Sequence, residues 1–202
     1  MIRAILYDLD GVLVHACEWH YNSLNAALKS VCEFEISRND HLTVYNGLTT
    51  RSKLDMLIKQ GMISATDAKK VWELKQTFTT REIIRYAQPY AEKIELHEYT
   101  RSQGLMSACV TNSIRETATM MLDRTWQLQY MKILICNEDS TPKPSPAPYI
   151  LAMERLRLYP HECIIVEDSD KGIEAAIASK AKVVKVDGCY QVNKVLIETN
   201  LR

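Results

Sequence analysis

Five short apolar runs recur along the chain, each about as long as a β-strand. They are IRAILY at 2–7, LMSACV at 105–110, KILIC at 132–136, CIIVE at 163–167 and KVVKV at 182–186. The runs are rich in Ile, Val, Leu and Cys and do not alternate cleanly between apolar and polar positions. That pattern is typical of strands buried on both faces of a parallel sheet, so we predict such a sheet here.

Segments with apolar residues at helical spacing separate these runs from residue 105 onward. They are IRETATMMLDRT at 114–125, PAPYILAMERLRL at 146–158 and KGIEAAIASK at 171–180. Strands that alternate with helices in this way form a parallel sheet with helices packed on both faces. The predicted fold class is therefore α/β, with a three-layer, Rossmann-like core.

The segment from 15 to about 84 interrupts this alternation. Its pattern is helical and rich in charged residues, with candidate helices at CEWHYNSLNAALKSV, RSKLDMLIKQG and SATDAKKVWELKQTFTTREIIRYA. A long helical block between the first two strands is more typical of an inserted cap than of a crossover. We expect residues 1–14 and 85–202 to form the core domain and residues 15–84 to form a small α-helical cap domain.

The composition excludes several classes of protein. The chain has 202 residues, of which 47% are hydrophobic and 25% charged, and its formal net charge is zero. A neutral chain carries no electrostatic signal for nucleic acid or for an anionic membrane. No apolar run approaches the roughly 18 residues that a membrane span needs, and the N-terminus turns acidic too early for a signal peptide. We expect a cytoplasmic protein that binds neither nucleic acid nor membrane.

The cysteines also favour a cytoplasmic protein. There are six, far apart and with no C-x-x-C pair: Cys17, Cys32, Cys109, Cys136, Cys163 and Cys189. Several lie inside apolar runs, which favours buried, reduced thiols over disulfides or a zinc site.

Polar and charged side chains follow four of the five apolar runs. In chain order they are Asp8 and Asp10, then Thr111, Asn112 and Ser113, then Lys143, and finally Glu167, Asp168 and Ser169. Ligands of open parallel sheets bind beyond the carboxyl ends of the strands, so we expect these groups to meet at one edge. Four acids gathered there would repel one another without a cation, and oxygen ligands suit Mg²⁺. The sequence therefore predicts a magnesium site.

The same groups suit phosphoryl transfer, whose transition state needs positioning and positive charge. Lys143 supplies a fixed cation, and the Thr111 hydroxyl and helix N-terminal N–H groups can hold phosphate oxygens. One carboxylate can act as the nucleophile and a second can carry a proton. Asp8 and Asp10 are two residues apart, so both side chains of an extended segment could reach one substrate.

Four segments carry a family resemblance. DLDGVLV, VTNS, the lysine of PKPSP and VEDSDKG, in this order, resemble the four motifs of the haloacid dehalogenase-like superfamily. The match spans nearly the whole chain, and the first and fourth motifs are the specific ones. The helical insert is similar to the cap of the subgroup that contains β-phosphoglucomutase and phosphoglycolate phosphatase. In that subgroup the cap closes over the site and excludes bulk water.

The resemblance implies a role for each motif residue. Asp8 is the nucleophile and Asp10 the general acid/base. Thr111 and Lys143 hold phosphate, with Asn112 beside them in the substrate-binding set. Mg²⁺ is held by Asp8, Glu167, Asp168 and the backbone carbonyl of Asp10. From the residues alone, Asp168 is the stronger metal ligand of the last pair.

Three cap residues join the substrate-binding set by the same resemblance. His20 lies in EWHYNSLNAAL, a segment that often carries a histidine in the subgroup. GLTTRSKL at 47–54 resembles its specificity loop, with Arg51 or Lys53 facing an anionic group. The alternatives are a packed hinge histidine and a solvated helix face. His15 departs from the aspartate that family members often have there.

We predict a Mg²⁺-dependent phosphatase that acts on a small phosphorylated metabolite, a sugar phosphate or phospho-acid, through an aspartyl-phosphate. We expect a monomer or a weak homo-oligomer. One alternative is a hexose-phosphate mutase, which passes the phosphoryl group to a sugar hydroxyl instead of water. Another is a catalytically silent binding or regulatory protein on the same scaffold. A dehalogenase is disfavoured because those enzymes usually lack the acid that Asp10 provides.

Overall fold

Five parallel strands form one sheet in the computed structural model, which describes residues 1–201. The strands are β1 (Ala4–Tyr7), β2 (Met106–Val110), β3 (Met131–Ile135), β4 (Cys163–Glu167) and β5 (Lys182–Lys185). Their order across the sheet is β3-β2-β1-β4-β5, so β1 lies in the centre. The predicted α/β class is confirmed, and every strand overlaps its predicted apolar run.

The α-helices fill the connections between the strands, and the last one follows β5. In chain order they are α1 (Cys17–Cys32), α2 (Arg38–Asp40), α3 (Thr50–Lys59), α4 (Ala65–Tyr86), α5 (Ala91–Ser102), α6 (Arg115–Arg124), α7 (Ala147–Leu156), α8 (Asp170–Ala178) and α9 (Lys194–Leu201). A π-helix at His41–Tyr45 continues α2. Within residues 1–201, no helix combines the length and apolar character that crossing a bilayer requires.

Helix α5 was not anticipated, because polar side chains interrupt its apolar stripe. Lys93, His97 and Thr100 all face inward and are buried. Each has a partner there. The Lys93 ammonium donates to two backbone carbonyls at 2.7 and 2.5 Å, and His97 Nε2 lies 3.0 Å from the side-chain oxygen of Gln127. Buried polar groups that are hydrogen-bonded in this way are compatible with a core-facing helix.

The apolar core has three parts. Alternate residues of β1 point to opposite faces of the sheet, so Ile5 and Tyr7 join one cluster and Ala4 and Leu6 join another. A third cluster lies within the helical segment and involves residues between 24 and 78. Both sheet faces are therefore covered, and the helices between β1 and β2 have an apolar core of their own.

The register of the sheet brings the predicted motifs together. Tyr7 of β1 pairs with Cys109 of β2 and with Val166 of β4. The residues that follow these three positions must therefore emerge side by side at the carboxyl edge. The helical segment packs over that edge, where the side-chain amide of Asn112 donates to the Gly47 carbonyl at 2.8 Å.

Candidate active site

The first motif leaves β1 and turns sharply. The Asp8 N–H donates to the Val166 carbonyl at 3.0 Å, which extends the ladder by one residue. The chain then curls, and Gly11 adopts a positive φ of +92°. A Cβ on Gly11 would lie 2.1 Å from a carboxylate oxygen of Asp168, so both the backbone and the neighbouring acid require glycine here.

Lys143 joins the first and fourth motifs. Its Nζ lies 2.5 Å from Asp8 Oδ1 and 2.5 Å from Glu167 Oε1, and its side chain is 2% exposed. The hydroxyl of Tyr149 donates to the same Glu167 oxygen at 2.9 Å, and the Lys143 ammonium lies 4.8 Å from the centre of the Tyr149 ring. Lys143 is therefore a buried cation with two anionic partners and an aromatic neighbour.

Both carboxylate oxygens of Glu167 accept hydrogen bonds. Its Oε2 accepts from the Asp168 N–H at 3.0 Å, and from the N–H and hydroxyl of Ser169 at 3.1 and 3.2 Å. Gly172, in the first turn of α8, makes room for it, since a Cβ there would lie 1.8 Å from Glu167 Oε1. Glu167 is thus fixed in place and fixes Lys143 in turn.

Three carboxylates lie close enough to share one metal ion. Asp8, Glu167 and Asp168 each offer an oxygen, and the three oxygens lie within 4.8 Å of one another. Asp168 Oδ1 is buried and has no hydrogen-bond partner among residues 1–201. Burial and neighbouring acids raise the pKa of Asp8 well above its usual range and that of Asp168 to about 7. An unpartnered oxygen among crowded acids fits a hard cation such as Mg²⁺.

The Asp10 carboxylate faces a different set of partners. Its Oδ1 lies 3.0 Å from His20 Nε2, and its Oδ2 accepts from the Ser113 hydroxyl at 2.8 Å. Thr111 donates more weakly to the same oxygen, at 3.5 Å. Burial alone would raise the pKa of Asp10, but His20 and Ser113 outweigh it and lower the pKa to about 2. These contacts therefore favour the ionised form of Asp10.

His20 connects Asp10 to Lys75 of α4. The Lys75 Nζ lies 3.2 Å from His20 Nδ1. Burial and Lys75 lower the pKa of His20, so its ring is neutral at neutral pH. A neutral ring that accepts from Lys75 at Nδ1 must carry its proton on Nε2, where it donates to Asp10. Lys75, His20 and Asp10 thus form a hydrogen-bonded chain.

The Asn112 side chain forms hydrogen bonds with backbone groups. Its Oδ1 accepts from the Lys143 N–H at 2.9 Å, and its Nδ2 donates to the carbonyls of Lys143 at 3.1 Å and Gly47 at 2.8 Å. The side chain therefore ties the Lys143 loop to the helical segment. The Thr111 hydroxyl accepts from the Ser113 N–H at 3.0 Å and lies next to Asp10.

A cavity of about 590 Å³ lies between the sheet edge and the helical segment. One side, the sheet-edge wall, carries Asp8, Asp10, Thr111, Ser113 and Lys143. The other side, the helical wall, carries His20, His41, Lys53, Lys75 and Gln76.

Most of the site residues predicted from the sequence border this cavity. Asn112 and Arg51 line it too, although Arg51 is exposed to solvent. Glu167 and Asp168 do not line the cavity, but each has a carboxylate oxygen within 4.8 Å of one of Asp8. His15 is exposed, with its ring 6.1 Å from that of Tyr90.

Sequence reasoning missed three groups at this site, Tyr149, Lys75 and His41, and it gave Ser113 a place at the strand end but no role. Ser113 carried a usable signal, because it belongs to VTNS directly after β2. The others carried none. Tyr149 resembles any core aromatic of an amphipathic helix, and Lys75 resembles any charged residue on a helix surface.

The chain is similar to known proteins over most of its length. A family model for haloacid dehalogenase-like hydrolases matches residues 5–186. The phosphoglycolate phosphatase of Aquifex aeolicus is 28% identical over 175 residues, which make up 86% of this chain and 79% of that protein.

Two solved structures share the architecture. β-Phosphoglucomutase from Clostridium difficile has a TM-score of 0.83 at 19% identity, covering 100% of both chains. A mutant of CbbY from Rhodobacter sphaeroides, in complex with xylulose-(1,5)bisphosphate, has a TM-score of 0.83 at 17% identity, covering 94% of this chain and 88% of that one. At such identities the likeness shows the fold alone.

Proposed function

The chain belongs to the haloacid dehalogenase-like hydrolase family, and we propose that it is a Mg²⁺-dependent phosphatase of small phosphorylated metabolites. One observation carries the proposal. Asp8 lies in the cavity against the buried ammonium of Lys143, while Asp10, two residues on, faces the same cavity with its own hydrogen-bond partners. This arrangement supports the roles of nucleophile for Asp8, fixed cation for Lys143 and proton carrier for Asp10.

Asp8 is the proposed nucleophile. One of its carboxylate oxygens attacks phosphorus, and the bond from phosphorus to the ester oxygen breaks, which leaves an aspartyl-phosphate and an alcohol. Lys143 touches Asp8 and is positioned to stabilise negative charge on the phosphoryl oxygens. Held by Asp8, Asp168, Glu167 and the Asp10 carbonyl, Mg²⁺ would offset the repulsion between the carboxylate and the phosphate.

Asp10 is the proposed proton carrier. In its protonated form it delivers a proton to the leaving ester oxygen. In its ionised form it accepts a proton from the water that then attacks phosphorus and releases Asp8. The hydrogen bonds from His20 and Ser113 favour the ionised form, which is the form the second step requires. Thr111 and the N–H groups that follow β2 are proposed to hold phosphate oxygens.

We propose that residues 15–84 act as a cap domain over the core formed by 1–14 and 85–202. Support comes from the separate apolar cluster within the helical segment and from the cavity beneath it. The cavity volume of about 590 Å³ suits a small ligand rather than a polymer. Similarity to a phosphoglycolate phosphatase makes phosphoglycolate the first substrate to try.

The test is phosphate release from a panel of small phosphate esters, with Mg²⁺ and with EDTA. The variants are Asp8→Asn and, as a matched control, Asp55→Asn on the exposed surface of α3. We expect Mg²⁺-dependent release that the Asp8→Asn change abolishes and the Asp55→Asn change leaves intact.

Three other outcomes would redirect the assignment. Full activity in Asp8→Asn would refute the mechanism. Mg²⁺ binding without phosphate release would favour a mutase, to be tested in a coupled isomerisation assay with a sugar bisphosphate primer. Neither Mg²⁺ binding nor release would favour a silent scaffold.

A further inference from the structure

The helical segment joins the core at two junctions, and one turn of the core contacts both of them. The first junction follows Leu13, and the second follows Ile84, in the last turn of α4. The Gln127 side chain donates to the Leu13 carbonyl at 3.1 Å, and the Arg124 guanidinium donates to the Ile84 carbonyl at 2.8 Å. Both donors belong to the turn Arg124–Gln127 at the end of α6, which we call the junction turn.

The Gln127 side chain is fully buried, and both ends of its amide are hydrogen-bonded. Its Nε2 donates to the Thr125 hydroxyl at 2.9 Å as well as to Leu13, and its Oε1 lies 3.0 Å from His97 Nε2. Because a carbonyl can only accept, the Leu13 contact determines which end of the amide is the nitrogen. Oε1 must then accept from His97, whose ring proton therefore lies on Nε2.

The His97 ring is itself held in one orientation. It stacks on the Tyr130 ring with 5.1 Å between centroids, and it meets the Tyr7 ring edge to face at 5.8 Å. Burial lowers the pKa of His97 to about 4, so the ring is neutral at pH 7 and offers its single N–H to Gln127. Helix α5 and strand β1 thus fix the Gln127 amide through His97.

Packing alone does not explain a buried glutamine at this position. Its partner Leu13 belongs to an apolar cluster that also contains Leu96 and Leu122. A leucine in place of Gln127 would bury a similar volume there without taking polar groups out of water. What the glutamine adds is direction, because its hydrogen bonds fix the position of the Leu13 carbonyl.

The junction turn also has an unfavourable backbone conformation. Trp126 adopts a positive φ of +58°, in the left-handed region that a bulky side chain disfavours. This conformation ends α6 and lets the Gln127 N–H donate to the Leu122 carbonyl at 2.8 Å. Such strain persists where surrounding contacts hold the chain in place, and here they hold Gln127 against the first junction.

The Leu13 carbonyl belongs to the coil that carries Asp10. The N–H groups of Leu13 and Val14 both donate to the Leu9 carbonyl at 2.9 Å, and the Gly11 N–H donates to the Val14 carbonyl at 2.8 Å. These bonds close the coil on itself, so a displacement of its end displaces the whole. A donor on the Leu13 carbonyl therefore determines where Asp10 lies relative to the core.

We infer that the junction turn clamps both ends of the helical segment and that Gln127, oriented by His97, is a positioning residue for Asp10. The inference rests on the proposed function, in which Asp10 carries the proton and the helical segment acts as a cap. Gln127 lies outside the cavity lining and acts through the Leu13 carbonyl. Arg124 acts on the second junction from an exposed position, so its contribution is smaller.

Three variants separate positioning from stability. Gln127→Leu keeps a similar volume and removes the donor to Leu13. Gln129→Leu makes the same change at an exposed position two residues further on. Ser179→Ala removes a buried hydroxyl that donates to the Ala176 carbonyl at the end of α8, and it controls for a loss of stability away from the junctions.

We expect Gln127→Leu to speed deuterium exchange over residues 9–16 of the ligand-free protein by about tenfold, with exchange over β4 unchanged. With the best ester, its kcat should fall by about 10- to 100-fold while KM stays within about twofold. Both controls should keep wild-type values of exchange over residues 9–16 and of kcat. Arg124→Met should speed exchange over residues 84–90 by about threefold. Gln127→Met repeats the test if Gln127→Leu does not fold.

Three results would overturn the inference. Wild-type exchange over residues 9–16 in Gln127→Leu, or over residues 84–90 in Arg124→Met, would refute the clamp. Faster exchange with an unchanged kcat in Gln127→Leu would refute the positioning of Asp10. An equal loss of kcat in Ser179→Ala would reduce the effect to stability.

Failure of the proposed function is a separate outcome. Hydrogen exchange needs no substrate, so it reports on the junction turn even if no ester is hydrolysed. Phosphate release that depends on Asp8, together with wild-type exchange in Gln127→Leu, would support the phosphatase and refute the clamp.

Discussion

The two walls of the cavity bury charge in opposite ways. On the sheet-edge wall, Lys143 lies between Asp8 and Glu167, and Glu167 is further held by Tyr149 and by the start of α8. On the helical wall, Lys53 has no partner within residues 1–201 and Lys75 has only a neutral ring. In the first network the protein itself supplies the opposite charges, whereas in the second it supplies none in direct contact. We attribute chemistry to the sheet-edge wall and recognition to the helical wall.

Among the changes considered, removal of Lys143 from the sheet-edge wall should have the largest effect on stability and activity. Lys143→Met leaves Asp8 and Glu167 as buried like charges without a cation, at a cost of about 3–5 kcal/mol in the free energy of unfolding. Loss of the cation at the reacting phosphate should lower kcat by about 10²–10³-fold. Urea unfolding and steady-state kinetics measure the two effects.

Lys132→Met, at an exposed position of β3, is the control and should change neither quantity. A Lys143→Met protein as stable as this control would show that the buried pair is not what holds the sheet-edge wall.

Gly172→Ala tests how tightly Glu167 is fixed. The new Cβ would lie 1.8 Å from Glu167 Oε1, so the carboxylate must move and weaken its bonds to Lys143 and Tyr149. We expect a loss of about 3 kcal/mol in unfolding free energy. Gly61→Ala is a useful comparison, since its φ is +72° but nothing lies within 4 Å of the added Cβ.

The Gly61 change should cost only the left-handed backbone strain of about 1–2 kcal/mol and leave kcat intact. Equal stability and equal activity of the two alanine variants would show that the Glu167 carboxylate can move away from the new Cβ without losing its contacts.

Removal of Lys53 should raise the free energy of unfolding, whereas removal of Lys143 should lower it. Lys53→Met removes an unpaired buried cation, so the ligand-free protein should gain about 2 kcal/mol of stability at pH 7. Burial lowers the pKa of Lys53 from 10.5 to about 8. Below pH 8 the group is charged in both folded and unfolded chains, and the full penalty applies.

Between pH 8 and pH 10.5 the folded chain loses this proton while the unfolded chain keeps it, so the wild type gains stability as pH rises. The advantage of Lys53→Met should therefore shrink between pH 7 and pH 10. Thermal melts at both pH values measure this, with Lys59→Met, at an exposed position at the end of the same helix, as the control. Destabilisation of Lys53→Met at pH 7 would mean that Lys53 has a structural partner after all.

The Asn112 side chain connects the Lys143 loop to the helical segment. Its removal should have the smallest effect of these changes. Asn112→Ala loses the hydrogen bonds to Gly47 and to the backbone of Lys143, for about 1–2 kcal/mol in unfolding free energy. Activity should fall through looser placement of Lys143 while the metal affinity stays unchanged. A large drop in Mg²⁺ affinity would instead place Asn112 close to the metal.

The sheet-edge wall was largely predictable from the sequence, and the helical wall was not. Asp8 and Asp168 stand at the ends of apolar runs, and parallel strands bring such ends to one edge whatever the rest of the chain does. Lys143 needed the order of the motifs as well. Tyr149 could not be found, because its hydroxyl meets Glu167 only after α7 packs on the sheet.

Lys75 shows the limit most clearly. It lies in a charged stretch of α4 that looks solvated, and it is buried only because α4 packs against α1 and faces the cavity. Helical periodicity shows which residues share a face, but not which face is covered by a neighbouring element. For Lys53 the sequence leaves both substrate contact and a solvated position open, and burial separates Lys53 from exposed Arg51.

In the proposed mechanism the phosphoryl group is transferred to Asp8. Rapid acid quench of the enzyme during turnover of its best ester, followed by peptide mass spectrometry, tests it most directly. We expect a phosphoryl group on the peptide that contains Asp8, present with Mg²⁺ and absent in Asp8→Asn. Turnover with that peptide unmodified, or a phosphoryl group on another residue, would contradict it.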